Sequence, residues 1–204
     1  MYTRILSTSK SLAGFLLNRF AADPADLGSF FGGAAAAGDV YLSTPQELTG
    51  KSGLSLWLYR VSRDDTRLND PPRRRPLPSG QVEIVPPPLP LRLHYLMTPL
   101  AKDQPELEQR ILGAVLQAFY STPILSGSDL AGDLAGTRGQ IIVRLEALSL
   151  DETAREWEAL SSSFQLCVSY EVTIANIEPA QLPQSDSLVE SVHPREAQLV
   201  GEEA

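Results

Sequence analysis

From Phe164 to Ile174 the apolar residues Phe164, Leu166, Val168, Tyr170, Val172 and Ile174 recur at every second position, with Gln165, Ser169, Glu171 and Thr173 between them. Successive side chains of a strand point to opposite faces, so this period predicts a strand with one face on a core. A second run has the same character: Leu89, Leu91, Leu93, Tyr95 and Met97 share a face, with Arg92 and His94 opposite. A third, Leu54–Val61, is apolar on both sides, with Leu54, Leu56 and Leu58 against Trp57, Tyr59 and Val61. Such a strand must be covered twice, so it belongs in the middle of a sheet or at a subunit contact. A sheet therefore organises this chain.

The helices are legible from other signals. Ile5, Leu12, Leu16 and Phe20 lie near helical spacing and predict a helix over 2–21. Pro105 opens a second helix, where its missing N–H costs nothing, and Glu106 and Glu108 suit the positive end. Its buried stripe is Leu107, Ile111, Val115, Ala118 and Phe119, and Pro123 ends it. Ser149-Leu150-Asp151-Glu152 is a capping box for a third helix that buries Ala154, Trp157 and Leu160. Short strands are expected at Val40–Leu42 and from Ile141 through Val143 to Leu145. The segments 28–38 and 126–139 are glycine-rich and read as loops, the first anchored by Phe30 and Phe31. Residues 62–80, with Pro71, Pro72, Pro76 and Pro78, also read as a loop. The order predicts an α+β fold, a mixed and largely antiparallel sheet flanked by helices. Regular patterning stops near 178, which gives a domain over 1–178 and an acidic tail or arm over 179–204.

Few residues offer chemistry. His94 and His193 are far apart in sequence, and neither has metal-ligand spacing around it. His94 lies on the polar face of its strand and reads as a hydrogen-bonded structural histidine. Cys167, the one cysteine, falls mid-strand and reads as a small packed side chain. A single cysteine forms no internal disulfide, which fits a reducing cytosol. No nucleophile elbow, phosphate loop or dinucleotide fingerprint occurs. The carboxylate pairs at Asp64-Asp65, Asp151-Glu152 and Glu202-Glu203 lie among arginines, at a helix start and at the end of the sequence. The expectation is no catalytic residue, no metal and no cofactor. No stretch approaches the roughly 18–20 apolar residues that span a bilayer, and no signal-peptide pattern is present.

Charge is distributed unevenly. The net charge is −8, which disfavours general nucleic-acid binding. Residues 60–75 nevertheless hold six arginines against Asp64, Asp65 and Asp70, while 178–204 hold six carboxylates against one arginine. The arginine segment admits two main readings: a solvated loop paired with nearby carboxylates, or a docking surface for an acidic partner. Nucleic acid is the weaker third, because no aromatic side chains interleave the arginines to stack on bases.

Four segments in order carry a family resemblance: Leu54-Ser-Leu-Trp-Leu-Tyr-Arg-Val61 with Arg67-Leu-Asn-Asp-Pro71; Pro88-Leu-Pro-Leu-Arg-Leu-His-Tyr-Leu-Met-Thr98; the Glu108–Pro123 helix; and Leu148-Ser-Leu-Asp-Glu with Trp157 and the Tyr170 strand. Over roughly 1–178 the chain resembles the N-terminal domain of the tail-terminator (cap) proteins of extracellular contractile injection systems. The resemblance implies a homohexameric ring at the baseplate-distal end of the particle, bound to tube protein and sheath protein, assembled in the cytoplasm. A baseplate or sheath adaptor is the alternative, and a small enzyme or ligand-binding domain a further one. Membrane and nucleic acid are not expected partners. The residues expected to dock a partner are Arg63, Arg67, Asn69, Asp70, Arg73, Arg74 and Arg75. Trp57 and Tyr59 are expected in the core or at a subunit seam.

Overall fold

In the computed structural model of the chain the described residues are 2–23, 27–32, 36–67, 71–76, 82–85, 87, 89–173 and 184–186. In chain order the elements are helices α1 (Arg4–Ala21) and α2 (Gly28–Phe31), then strands β1 (Asp39–Tyr41), β2 (Gly53–Arg63), β3 (Arg73–Pro76), β4 (Val82–Val85) and β5 (Leu91–Leu100). They continue with α3 (Pro105–Ser121), β6 (Ile124–Ser126), β7 (Gln140–Glu146), α4 (Leu150–Ala159), β8 (Val168–Thr173) and β9 (Gln184–Asp186). The fold is α+β, and the chain divides into two units, one of residues 1–69 with 88–178 and one of 70–87 with 179–204.

The larger unit is built on a six-stranded sheet in the order β1-β2-β5-β8-β7-β6. Every neighbouring pair is antiparallel except β1 and β2, which run parallel. Gly53 makes that parallel pairing possible. Its φ is +135°, and a Cβ there would lie 2.0 Å from the Asp39 carbonyl oxygen. α1 and α3 cover one face. Leu12, Phe15, Leu16 and Phe20 of α1 meet Ile111, Val115 and Phe119 of α3 and the strand residues Leu93, Tyr95, Met97 and Val172. Phe119 lies between Phe15 and Tyr170, its ring centroid 5.7 and 5.0 Å from theirs. On the other face Trp157 and Leu160, at the end of α4, pack with Leu96, Trp57, Tyr59 and Cys167. The capping box forms as predicted: Ser149 Oγ accepts from the Glu152 N–H, and the Glu152 carboxylate accepts from the Ser149 N–H.

α1 also carries buried polar residues that its apolar stripe does not explain. Ser11 Oγ accepts the Ala131 N–H at 2.8 Å, and Ser7 Oγ accepts the Asp133 N–H at 3.1 Å. Thr3 bonds the Asp133 carboxylate, and Ser9 pairs with the buried Tyr95 hydroxyl at 2.8 Å. The Ser11 and Ser7 bonds satisfy backbone groups of the 126–139 loop, where two 3-10 turns, Gly127–Asp129 and Gly132–Leu134, lie against the helix.

Four expectations need correction. Gly28–Phe31, read as part of a loop, is the short helix α2, whose buried Phe31 packs on Phe20 with ring centroids 4.7 Å apart. The basic stretch is not one loop. β2 runs on to Arg63, a 3-10 turn follows at Asp65–Arg67, and Arg73–Pro76 is a strand. Within the smaller unit β3, β4 and β9 form an antiparallel sheet in the order β3-β4-β9, with Arg73↔Val85, Arg74↔Ile84 and Ile84↔Gln184 in register. The alternating run from Phe164 becomes a strand only at Val168. Its ladder with β5 ends at Met97↔Val168, two residues short of Pro99, which has no N–H to give. Ile174 lies outside the described residues. The register of β2 also shifts between Leu58 and Arg60. The extra residue, Tyr59, flips the alternation. Arg60 then stands opposite His94 and Val61 opposite Leu93, so Val61 leaves the face of Trp57.

Candidate docking surfaces

The arginine segment begins tied down. Asp64, almost wholly buried, accepts the Thr66 hydroxyl at 2.7 Å and Arg92 Nη2 at 2.8 Å. The Thr66 hydroxyl holds its carboxyl below the usual range; burial opposes this, and the Arg92 guanidinium adds to the lowering. Arg92 also reaches Glu171 at 3.3 Å. Arg63 pairs with Asp65 at 2.9 Å, both side chains exposed, and Arg67 closes the 3-10 turn. These two arginines belong to the larger unit. Arg73, Arg74 and Arg75 stand in β3, an outer strand of the small sheet, where Arg74 is exposed. Asn69 and Asp70 lie outside the described residues. The seven residues expected to form one docking loop are thus shared between two units.

Trp57 and Tyr59 are half-buried on the α4 face, their rings 5.9 Å apart. Tyr59 leads into a polar cluster that sequence reasoning did not assemble. His94, 3% exposed, donates from Nδ1 to Glu146 at 3.0 Å and shares a hydrogen bond with Ser62 Oγ through Nε2, also at 3.0 Å. Arg60, Tyr59 and Ser169 donate to the same carboxylate at 3.2, 3.1 and 2.8 Å. Burial works to raise the Glu146 pKa, but the bonds from His94, Ser169 and Tyr59 outweigh it and hold the carboxyl below its ordinary value. Burial pushes the Tyr59 phenol up to about 12. Both ring nitrogens of His94 are engaged, so the histidine is a strut between β2, β5 and β7. Burial likewise raises the Cys167 thiol, away from the thiolate a nucleophile needs. Among the described residues no group of three or more His, Cys, Asp or Glu side chains could hold a metal ion. A signal for the cluster did exist. Arg92 and His94, Ser169 and Glu171, and Arg144 and Glu146 are polar pairs at alternate positions on three strands, on the face away from α1.

An apolar groove opens at the other end of the sheet. Its volume is about 600 Å³, and Leu116, Phe119 and Tyr120 of α3, Pro123, Val143 and Leu145 of β7, and Tyr170 line it with Gln117. α3 stops at Ser121, which leaves Tyr120 and Leu145 uncovered at 90% and 59% exposure.

With this geometry established, comparison with known proteins is decisive for the family. Residues 8–191 match the Pvc16 N-terminal domain. The chain belongs to the Pvc16 N-terminal domain family. Two cryo-EM structures resemble this Pvc16 N-terminal domain in fold. One is a PVC sheath/tube terminator in the extended state, from an extracellular contractile injection system, with a TM-score of 0.66 and 18% identity. The other is the anti-feeding prophage cap, a tube-terminating cap, with a TM-score of 0.62 and 16% identity. The alignments cover 98% and 95% of this chain but only 65% and 60% of those proteins. No curated protein matches the chain.

Proposed function

We propose that this chain is a structural cap that terminates the tube of a contractile injection particle as a homo-oligomeric ring of six copies, touching tube protein and the last sheath layer. The observation that carries the reading is the fold match to a sheath/tube terminator over 98% of the chain. The physical character of the molecule supports it. The one buried histidine of the larger unit is a strut with both nitrogens bonded, which takes that imidazole out of acid–base work. No helix among the described residues is long and apolar enough to cross a membrane. A cap needs surfaces complementary to its neighbour and to the tube end, and sixfold repetition multiplies each modest contact.

Within this reading Arg73, Arg74 and Arg75 on an outer strand, with Arg63 and Arg67, offer cations to an acidic partner surface, and the 179–204 segment serves as an arm. Asn69 and Asp70 complete the proposed set, and Trp57 and Tyr59 are proposed to act from within the subunit or at its seam. Assembly takes place in the cytoplasm before the particle is released. The test is deletion of the gene followed by electron microscopy of the particles. Tubes of uncontrolled or aborted length are expected, restored by the intact gene. Particles of normal, uniform length from the deletion strain would overturn the reading, and labelled protein at the baseplate end would replace it with an adaptor.

A further inference from the structure

The large sheet ends in an incomplete edge. β6 is three residues long and pairs only with Gln140–Ile142 of β7. The Val143 N–H still reaches the Pro123 carbonyl at 2.8 Å. Beyond it, among the described residues, no strand lies beside Arg144–Glu146 on that side. The apolar groove under Leu145 and Tyr120 opens along this edge, and none of its lining side chains carries a formal charge. An unpaired strand edge beside apolar pockets is a template for an added strand.

The same chain holds a segment of matching character. Ser163–Cys167 alternates Phe164 and Leu166 with Ser163 and Gln165 and has no charge, yet it belongs to no strand. Phe164 and Leu166 are 55% and 46% exposed. The segment cannot reach the groove of its own molecule. It leads directly into β8, which occupies the inner edge of β7, and Phe164 sits by Trp157 on the opposite face of the sheet, ring centroids 6.2 Å apart. The acidic 178–204 stretch is a poorer occupant, since the groove lining offers its carboxylates no cation.

We propose that Ser163–Cys167 of one copy adds as a strand to the outer edge of β7 in the next copy, seating Phe164 and Leu166 over the groove. The inference rests on the ring reading above and specifies its subunit contact. The two surfaces differ, so the contact is heterologous and repeats head to tail until it closes.

Cross-linking in the full chain with Cys167→Ser tests it. Leu145→Cys is combined with Phe164→Cys or with Leu166→Cys, because a disulfide needs Cβ atoms about 3.5–4.5 Å apart and two partners allow for register. Mild oxidation should give a ladder of covalent multimers from at least one double variant, while each single variant stays at monomer mass. Native mass spectrometry and negative-stain imaging of the Cys167→Ser protein report rings independently. Rings without a ladder from either double variant overturn the contact and leave the ring reading intact. Protein that never assembles refutes both. A ladder from Leu145→Cys with Leu188→Cys instead would place the acidic arm in the groove and overturn the proposal. As a second readout, Leu145→Asp should lower the assembled fraction at least several-fold with unchanged thermal unfolding of the monomer, since Leu145 is exposed there. Unchanged assembly would count against the contact.

Discussion

Replacing Glu146 by alanine removes an acceptor shared by His94, Tyr59, Ser169 and Arg60. The four donors are not equally exposed to the loss. Arg60, with its side chain 54% exposed, returns to water at little cost. Tyr59 and Ser169 keep each other at 3.1 Å, so their hydroxyls stay partly satisfied. His94 has less recourse. Its Nδ1–H would face only Arg60 Nη2, at 3.1 Å and itself a donor, and an unsatisfied buried donor costs about 1–3 kcal/mol. Adding a smaller share for the two hydroxyls, the variant should lose about 2–3 kcal/mol. For a chain of this size that corresponds to a fall of about 4–12 °C in melting temperature. Urea unfolding with and without His94→Leu closes a double-mutant cycle, and a coupling near 1 kcal/mol or more is expected. The pH dependence adds a second reading. The folded pKa of Glu146 lies below its ordinary 4.5, so its contribution is complete above 4.5 and is lost as pH falls through the folded value. Glu146→Ala should therefore flatten the stability–pH curve below 4.5. A variant within 0.5 kcal/mol of the wild type, or an additive cycle, would refute the strut argument.

Three further outcomes follow from the geometry. Gly132→Ala should destabilise by about 2 kcal/mol, because φ is +59° and the new Cβ would lie 2.5 Å from Ser7 Oγ; Gly127→Ala, with φ +60° and open space, should cost about half as much by the same urea assay. Phe119→Ala removes a ring packed between Phe15 and Tyr170 and should cost about 3–5 kcal/mol; a smaller loss would mean that α3 settles into the space. Arg74→Glu should leave thermal unfolding unchanged while reducing co-sedimentation with purified tubes several-fold, and unchanged binding would remove Arg74 from the docking surface.

Much of the fold was legible because one physical signal fixed each element. The capping box, Pro105 and the stripe from Leu107 to Phe119 act locally, and those helices form where the pattern places them. The strands were harder, since a strand exists only where a neighbour pairs with it. Phe164 and Leu166 have the right alternation and no strand partner among the described residues. Arg73–Pro76 looked like a loop because arginine and proline say little about pairing, yet Val82–Val85 supplies a ladder. Tyr59 could not be identified as a bulge, because an extra residue leaves no mark on alternation until the facing strand is known. The polar cluster was hidden for the same reason. His94 and Glu146 are 52 residues apart, and only the β5-β8-β7 order brings them together.

The small sheet carries a consequence for how the chain folds. Ile84 and Gln184 pair across a sequence interval of 100 residues. Once Arg92 has paired with Thr173, that pair lies only eight positions from Ile84 on one side and eleven from Gln184 on the other. Shortening a loop from about 100 to about 19 residues lowers its closure cost by about 1.5 kcal/mol. β9 should therefore close onto β4 late, after β5 and β8 have joined, and pulsed hydrogen exchange should protect its amides last. The order of events then puts quality control into the topology: the third strand of the arginine-bearing sheet docks most readily on a molecule whose β5 and β8 have already paired.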